Sequence, residues 1–230
     1  MSEVVRAFDR SARLYDDWYR ESKGRHVLEA ERALLDRLIP DDGMGLEIGA
    51  GTGVFAGSLT GESRTVVCLD VSEEMLTRAK RRMLPCVLGS ADSLPIRRGT
   101  LDFAYMVTVV EFLQSPVKAF SESARAAKKG APLVVLFVNR DSPWGELYGD
   151  MARKGDPIFR HAHLYTLGDM EDMARDAELS IVEAYGTLTT GPTDPAPGGE
   201  VVEPNPRAGV IAAKLTNKDI IHKQLFGKFY

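Results

Sequence analysis

A chain of 230 residues is long enough for one domain with a sizeable core and an appended lid, and its 44% hydrophobic and 27% charged residues are ordinary for a globular protein. A formal net charge of −4 supplies no basic field for a phosphate backbone, so a nucleic-acid partner is disfavoured. No apolar run approaches the roughly 20 residues of a membrane helix, and the opening "MSEVVRAFDRSARLYDDWY" has no apolar signal core, so a cytoplasmic protein with no membrane partner is expected.

In chain order, Phe8, Ala12, Tyr15 and Tyr19 recur on one face of a helix, and Val27, Ala30, Leu34 and Leu38 repeat the stripe up to Pro40. "GLEIGA" reads as a first strand ending in a glycine loop, "VFAGSL" as the start of a helix and "TVVCLD" as a second strand. Ser72 then caps a helix with Glu73 and Glu74 in its first turn and Lys80, Arg81 and Arg82 near its end, as the helix dipole favours. "CVLGS" is a third strand and "LDFAYMVTVV" a fourth. Cys68 and Cys86, one in each of two strand-like runs, fit no disulfide framework or zinc pattern and are expected buried and reduced. Ser115-Pro116 reads as an N-cap followed by proline at the first helical position, "PLVVLFV" as strand five, and Thr166 with Asp169 as a capping box. "IVEAYGTLT" and "AGVIAAKL" follow as two strands with no helix between them, joined by a Pro- and Gly-rich stretch that reads as a mobile loop. The basic and aromatic tail 215–230 suggests no function. Alternating strands and helices predict an α/β fold: a Rossmann-like doubly wound sheet, mostly parallel with an antiparallel final strand.

Ligands of such sheets sit beyond the carboxyl ends of the strands, with the first strand-to-helix loop as the floor. In "LEIGAGTG", Gly49, Gly51 and Gly53 allow a tight turn and close backbone approach. The spacing is G-x-G-x-G rather than the G-x-G-x-x-G of dinucleotide sites, and Glu47 would repel a pyrophosphate. A carboxylate there suits a ligand with a positive group and no phosphate, such as S-adenosylmethionine. Asp70, at the tip of strand two, is placed to accept the hydroxyls of a ribose, and Asp92 after strand three to meet an adenine amino group.

Together, "LEIGAGTG", "CLDVSEEMLTRAK", "GSADSLPIRRGTLDFAYMVTVVEFL" and "AAKKGAPLVVLFV" resemble the successive motifs of class I S-adenosylmethionine-dependent methyltransferases. With "FDRSARLYDDWY", the chain is most similar to the small group that includes the quinone-biosynthesis methyltransferases; the resemblance spans roughly residues 8 to 190. It implies S-adenosylmethionine as cofactor and S-adenosylhomocysteine as product. It places Glu47, Gly49 and Gly51 at the methionine end, Gly53 at the helix start, Asp70 at the ribose, and Ala91 and Asp92 at the adenine. Met106 and Val107 would lie under the cofactor and Tyr15 over its methionine moiety; Ala50, Val71 and Met75 complete the set. The implied organisation is a single domain: residues 1–40 as helices covering the site, 41–138 as cofactor-binding core, 139–165 as a lid over the acceptor, and 166–230 as C-terminal helix, strands and tail.

Methyl transfer from a sulfonium requires mainly alignment and exclusion of water, so no catalytic triad is expected. After strand four, "MVTVVEFLQSP" lacks Asn/Asp-Pro-Pro-aromatic, a Pro-Cys nucleophile and acidic metal ligands. Thr108, Val109, Val110 and Phe112 suggest an apolar pocket wall. Glu111 is a candidate base or orienting group, against the more economical reading of an exposed first-turn acid. In the lid, Trp144, Tyr148, Phe159 and Tyr165 accompany His161 and His163, candidate bases that would share one side of an extended segment; a metal is not expected, for want of a third ligand. The expected activity is methyl transfer to a small molecule by a monomer or homodimer. A protein or RNA methyltransferase of the same fold and a silent cofactor-binding module are the alternatives; a nicotinamide oxidoreductase fails on the glycine spacing and on Glu47.

Overall fold

The computed structural model describes residues 3–194, 196 and 198–217. Two amphipathic helices, α1 (Glu3–Arg20) and α2 (Ser22–Leu38), precede the sheet. The alternating part runs β1 (Gly43–Ile48), α3 (Val54–Leu59), β2 (Arg64–Asp70), α4 (Glu73–Arg81), β3 (Cys86–Leu88), β4 (Phe103–Val107), α5 (Pro116–Ala126) and β5 (Leu133–Val138). Then come α6 (Pro143–Arg153), α7 (Leu167–Asp176), β6 (Leu179–Thr187) and β7 (Val210–Asn217). The strand order is β3-β2-β1-β4-β5-β7-β6. β1 to β5 are parallel, and β7 is inserted antiparallel between β5 and β6. A long return connection lets β7 reach that slot, and it is the one strand running against the others.

Both faces of the sheet are covered, so its central strands are apolar without interruption: all six residues of β5 are buried. Alternation still sorts them. Val134, Leu136 and Val138 join the cluster formed with Leu34 and Leu35 of α2 and Phe55 of α3, whereas Val135 and Phe137 meet Phe120 of α5 and Met170 of α7. Burial of rings such as Phe120 and Phe137 contributes about 1.5–3 kcal/mol each. In β1, Leu46 and Ile48 take the α5/α7 face, which turns Glu47 to the face covered by α2 and α3.

The helix starts follow from local chemistry. Ser72 accepts the Met75 amide, and Thr166 and Asp169 form the reciprocal capping box. Ser115 differs: it precedes Pro116 but makes no side-chain cap bond. β4 is also shorter than its apolar run, because Thr108 takes a positive φ of 48° and residues Val110–Phe112 close into a 3-10 turn. Cys68 is buried and Cys86 half-buried, both free. The stretch read as a mobile loop is held at several points: Val202 exchanges both backbone bonds with Gly186, and Thr190 accepts the Trp144 indole N–H at 3.1 Å. Residues 218–230 of the tail lie outside the described residues. No described helix is long and apolar enough to cross a membrane.

Candidate active site

The loop after β1 sits at the carboxyl edge of the sheet. The Gly49 and Ala50 amides both donate to the Leu69 carbonyl of β2, at 2.7 and 2.9 Å. Gly49, Gly51 and Gly53 all have positive φ, at 72°, 53° and 75°. A Cβ at Gly49 would lie 2.4 Å from Val109 and one at Gly53 2.7 Å from Leu84, whereas one at Gly51 would meet only the Met75 sulfur at 3.9 Å. Gly51 therefore faces open space. Beside it, Asp70 accepts the Gly51 amide through Oδ2 and the Ser72 amide through Oδ1, each at 2.8 Å. Burial raises its carboxyl pKa and these two amides oppose the shift. Each oxygen keeps lone-pair capacity for a further donor. Val71, next in the chain, is apolar yet 46% exposed, and Asp92 accepts the Ser90 hydroxyl at 2.6 Å one strand further on.

Glu47 is turned inward. It is 2% exposed, its Oε2 accepts the Tyr105 hydroxyl at 3.1 Å, and the Ala56 amide of α3 also bonds to it. Burial pushes its pKa up to about 8 against those two bonds. The carboxyl group thus ties β1 to β4 and to the first turn of the helix that opens after Gly53.

α1 lies across this edge and is fastened to it by polar contacts. Asp16, buried on its inner face, accepts the Thr52 hydroxyl at 2.7 Å and Arg82 at 2.9 Å, with Arg78 at 3.8 Å. Arg82 also donates to the Thr52 carbonyl, and the Ser72 hydroxyl donates to Asp9. Phe8 meets Phe112 edge-on at 5.0 Å, so one helix contacts the loops after β1, β2 and β4. Tyr15 stacks edge-on against Tyr19, their hydroxyls 3.3 Å apart. Asp9, Asp16 and Thr52 are absent from the sequence reading, which gave Arg82 only a place near the end of its helix. The available signal was two acids seven residues apart among the apolar positions of α1.

Beyond β4 and β5 lies a second set of groups. The 3-10 turn after β4 carries Glu111 inward to 2% exposure, correcting the reading of an exposed acid. Its Oε1 accepts the Val138 amide at 2.8 Å, while Oε2 is buried without a partner. Burial pushes its pKa to about 7, and the Val138 amide pulls the other way. Glu31, on the inner face of α2, is 4% exposed and is pushed to about 8 by burial and then by Glu111. Tyr148 of α6 stacks on Phe159 at 4.4 Å, and burial raises the phenols of Tyr15, Tyr19 and Tyr148. The two histidines do not share an extended segment. His161 ends a 3-10 turn over Phe159–His161 and its Nε2 accepts from Arg160, whereas His163 is exposed with its ring 4.7 Å from Tyr165. Met106 is wholly buried in the sheet, with Val107 nearly so. A cavity of about 320 Å³ lined by Arg98, Lys128, Lys129 and Leu215 lies at the opposite edge.

Residues 46–135 match the methyltransferase domain family. The chain is 29% identical over 184 residues to an uncharacterized protein of Methanocaldococcus jannaschii, covering 80% of this chain and 86% of that one. It is 32% identical over 187 residues to an uncharacterized protein of Mycobacterium tuberculosis, covering 81% of this chain but only 64% of the longer relative. Among solved structures, a Thermotoga maritima protein described as a SAM-dependent methyltransferase, possible histamine N-methyltransferase, superimposes with a TM-score of 0.81 at 28% identity, covering 94% of this chain and 100% of that one. The chain is a class I S-adenosylmethionine-dependent methyltransferase. Its cofactor is S-adenosylmethionine and its cofactor product S-adenosylhomocysteine. At the carboxyl edge of its sheet the methyltransferase has an open face at Gly51, spare acceptor capacity on Asp70 and the uncovered apolar side chain of Val71.

Proposed function

We propose that this methyltransferase acts on a small-molecule acceptor enclosed beneath α1, α2 and the 139–165 segment. The observation that carries the reading is the cluster beyond β4 and β5, where the buried carboxyl groups of Glu31 and Glu111 lie near the half-buried phenols of Tyr15, Tyr19 and Tyr148. A chamber so lined suits a compact acceptor better than a polypeptide or an RNA strand. Residues 1–40 serve as cover, 41–138 as cofactor-binding core, 139–165 as acceptor-site lid and 166–230 as the flanking helix, strands and tail of one domain.

In this reading Gly49, Ala50, Gly51 and Gly53 form the floor under the methionine end, with Tyr15 above. Asp70 takes the ribose hydroxyls. Val71, Ala91 and Asp92 meet the adenine, and Met75, Met106 and Val107 back the loops. Glu47 acts from behind, by holding the glycine loop and α3 in place. The bound cofactor supplies a methyl group on a good leaving group, and the chain's own contribution is alignment and exclusion of water. A tyrosine ring near a sulfonium also favours the charged form of the donor.

Calorimetric titration with S-adenosylhomocysteine, with NADH as control, tests the cofactor assignment. Micromolar binding of the first and none of the second is expected. Asp70→Asn should weaken that binding by tenfold or more in a folded protein, about 1.4 kcal/mol; an unchanged affinity would remove the ribose assignment. Release of S-adenosylhomocysteine with a panel of small acceptors, against intact ribosomes and whole-protein extracts, tests the acceptor class. Turnover confined to the macromolecular fractions would overturn the small-molecule reading.

A further inference from the structure

Among the described residues, the buried carboxyl groups of Glu31 and Glu111 form no ion pair. Glu111 leaves Oε2 buried without a partner, and burial and the neighbouring Glu111 both disfavour the charged form of Glu31. His163 donates its backbone amide to the Glu111 carbonyl at 2.8 Å, and its ring is exposed, against Tyr165. The other titratable groups felt by this cluster are Tyr15, Tyr19 and Tyr165, and Tyr15 in turn feels Glu47 and Asp70. Every one of these carboxyl and phenol groups is neutral or negative at physiological pH. Uncompensated acids in an apolar site are costly, and a cation that enters converts that cost into binding. Around them stand the rings of Tyr15, Tyr19, Tyr148 and Phe159, in contact at 5.1 Å for the first two and 4.4 Å for the last two. Aromatic faces together with carboxylates form the usual recognition surface for an ammonium group.

Resting on the small-molecule reading, we propose that the acceptor is an amine that binds as its cation, held by Glu31 and Glu111 within the Tyr15, Tyr19, Tyr148 cage and methylated on nitrogen. The proton balance follows. The ammonium gives one proton to the Glu111 carboxylate, which frees the nitrogen lone pair. That pair forms the N–CH3 bond as the methyl–sulfur bond breaks and its electrons stay on sulfur. The product is an N-methylammonium ion and neutral S-adenosylhomocysteine, and the proton on Glu111 passes to solvent. With the cation bound, Glu31 is ionised as its counter-charge. Tyr15 precedes Asp16, whose carboxylate accepts the Thr52 hydroxyl of the glycine loop at 2.7 Å, so this cluster lies against the loop where the methyl donor is assigned.

The test uses the protein saturated with S-adenosylhomocysteine and two probes of similar size, benzyltrimethylammonium and benzyl alcohol. The cation should bind at least tenfold more tightly than the alcohol. Glu31→Gln and Glu111→Gln should each weaken the cation about tenfold or more while S-adenosylhomocysteine binding changes less than twofold. Both substitutions are isosteric, and the comparison of the two probes on the unaltered protein stands even where a variant fails to fold. Equal binding of the probes, or cation binding unmoved in both folded variants, would overturn the cationic acceptor and leave the methyltransferase reading intact. Failure of S-adenosylhomocysteine itself to bind would overturn the cofactor-site assignment and this inference with it. In turnover, 2-phenylethylamine should be methylated in preference to 2-phenylethanol and catechol; preference for catechol would count against nitrogen as the target.

Discussion

Gly49, Gly51 and Gly53 share a left-handed backbone but have different surroundings, and the difference separates stability from ligand binding. Gly51→Ala adds a Cβ that meets only Met75 at 3.9 Å, so its structural cost is the conformational strain of about 1–2 kcal/mol. It should nonetheless lower S-adenosylhomocysteine affinity tenfold or more, because the added methyl occupies the ligand's side of the loop. Gly53→Ala pays the same strain and also drives a Cβ to 2.7 Å from Leu84, so a loss of roughly 2–4 kcal/mol is expected. Urea melts and calorimetry on the pair check this; equal binding losses in both variants would mean that the Gly51 face is not the ligand's. The buried acids give a second expectation at this scale. Glu31 and Glu47 are pushed to about 8 and Glu111 to about 7, all above the 4.5 of an unfolded chain. The folded state therefore holds protons that the unfolded state has released. That stability is complete below about pH 4.5 and is lost as the pH rises toward 8. The ligand-free protein should melt at a lower urea concentration at pH 8.5 than at pH 5.5, and Glu47→Gln should flatten the profile. A midpoint that rises over this window would show that these carboxyls are ionised in the native state.

At the scale of elements, α1 is fastened to the sheet edge by polar contacts. Asp16 carries most of them: it accepts from Thr52 and Arg82 at one end of the helix, while Asp9 takes the Ser72 hydroxyl at the other. Thr52 and Ser72 belong to the loops that shape the cofactor site, so the cover and the floor share their anchor residues. Asp16→Ala should cost about 1.5–3 kcal/mol, the range for hydrogen bonds to a charged group. It should also speed proteolytic cleavage within residues 3–20 ahead of the sheet core. Uniform cleavage rates across wild type and variant would show that Phe8–Phe112 and the apolar stripe suffice to hold the helix. The 3-10 turn after β4 is a comparable device, since it shortens the strand and swings Glu111 from the sheet edge into the chamber.

For the whole molecule, every assigned group lies at the carboxyl edge of one sheet. In the proposed reading β1, β2 and β3 offer the cofactor loops, β4 and β5 offer the acceptor side, and α1, α2 and α6 close over both. A ligand that binds only this folded arrangement stabilises it by mass action, about 2.7 kcal/mol at a hundredfold excess over Kd. For a protein of this size that amounts to a rise of roughly 5–10 °C in Tm. S-adenosylhomocysteine should produce it and NADH should not; a thermal shift of the reverse pattern would remove the cofactor-site assignment.

Periodicity and glycine spacing made the fold class, the tight glycine loop after β1 and the acids at strand tips legible, because these depend on short-range chemistry. A positive φ at Gly51, a carboxyl at the end of "TVVCLD" and a capping box at Thr166 are each specified within a few neighbouring residues. The direction of Glu111 was not legible: it turns on Thr108 breaking the strand and on the Val138 amide, 27 residues away, meeting its carboxyl. Nor were the Asp16–Thr52–Arg82 anchor and the nearness of Glu31 to Glu111, which join residues 30 to 80 positions apart. Local sequence sets backbone conformation and burial pattern, whereas which buried charges face one another without a partner follows only from how the helices pack over the sheet. The sequence alone thus determined the sheet and its glycine loop, and the tertiary structure decided the electrostatics of the Glu31–Glu111 cluster beside it.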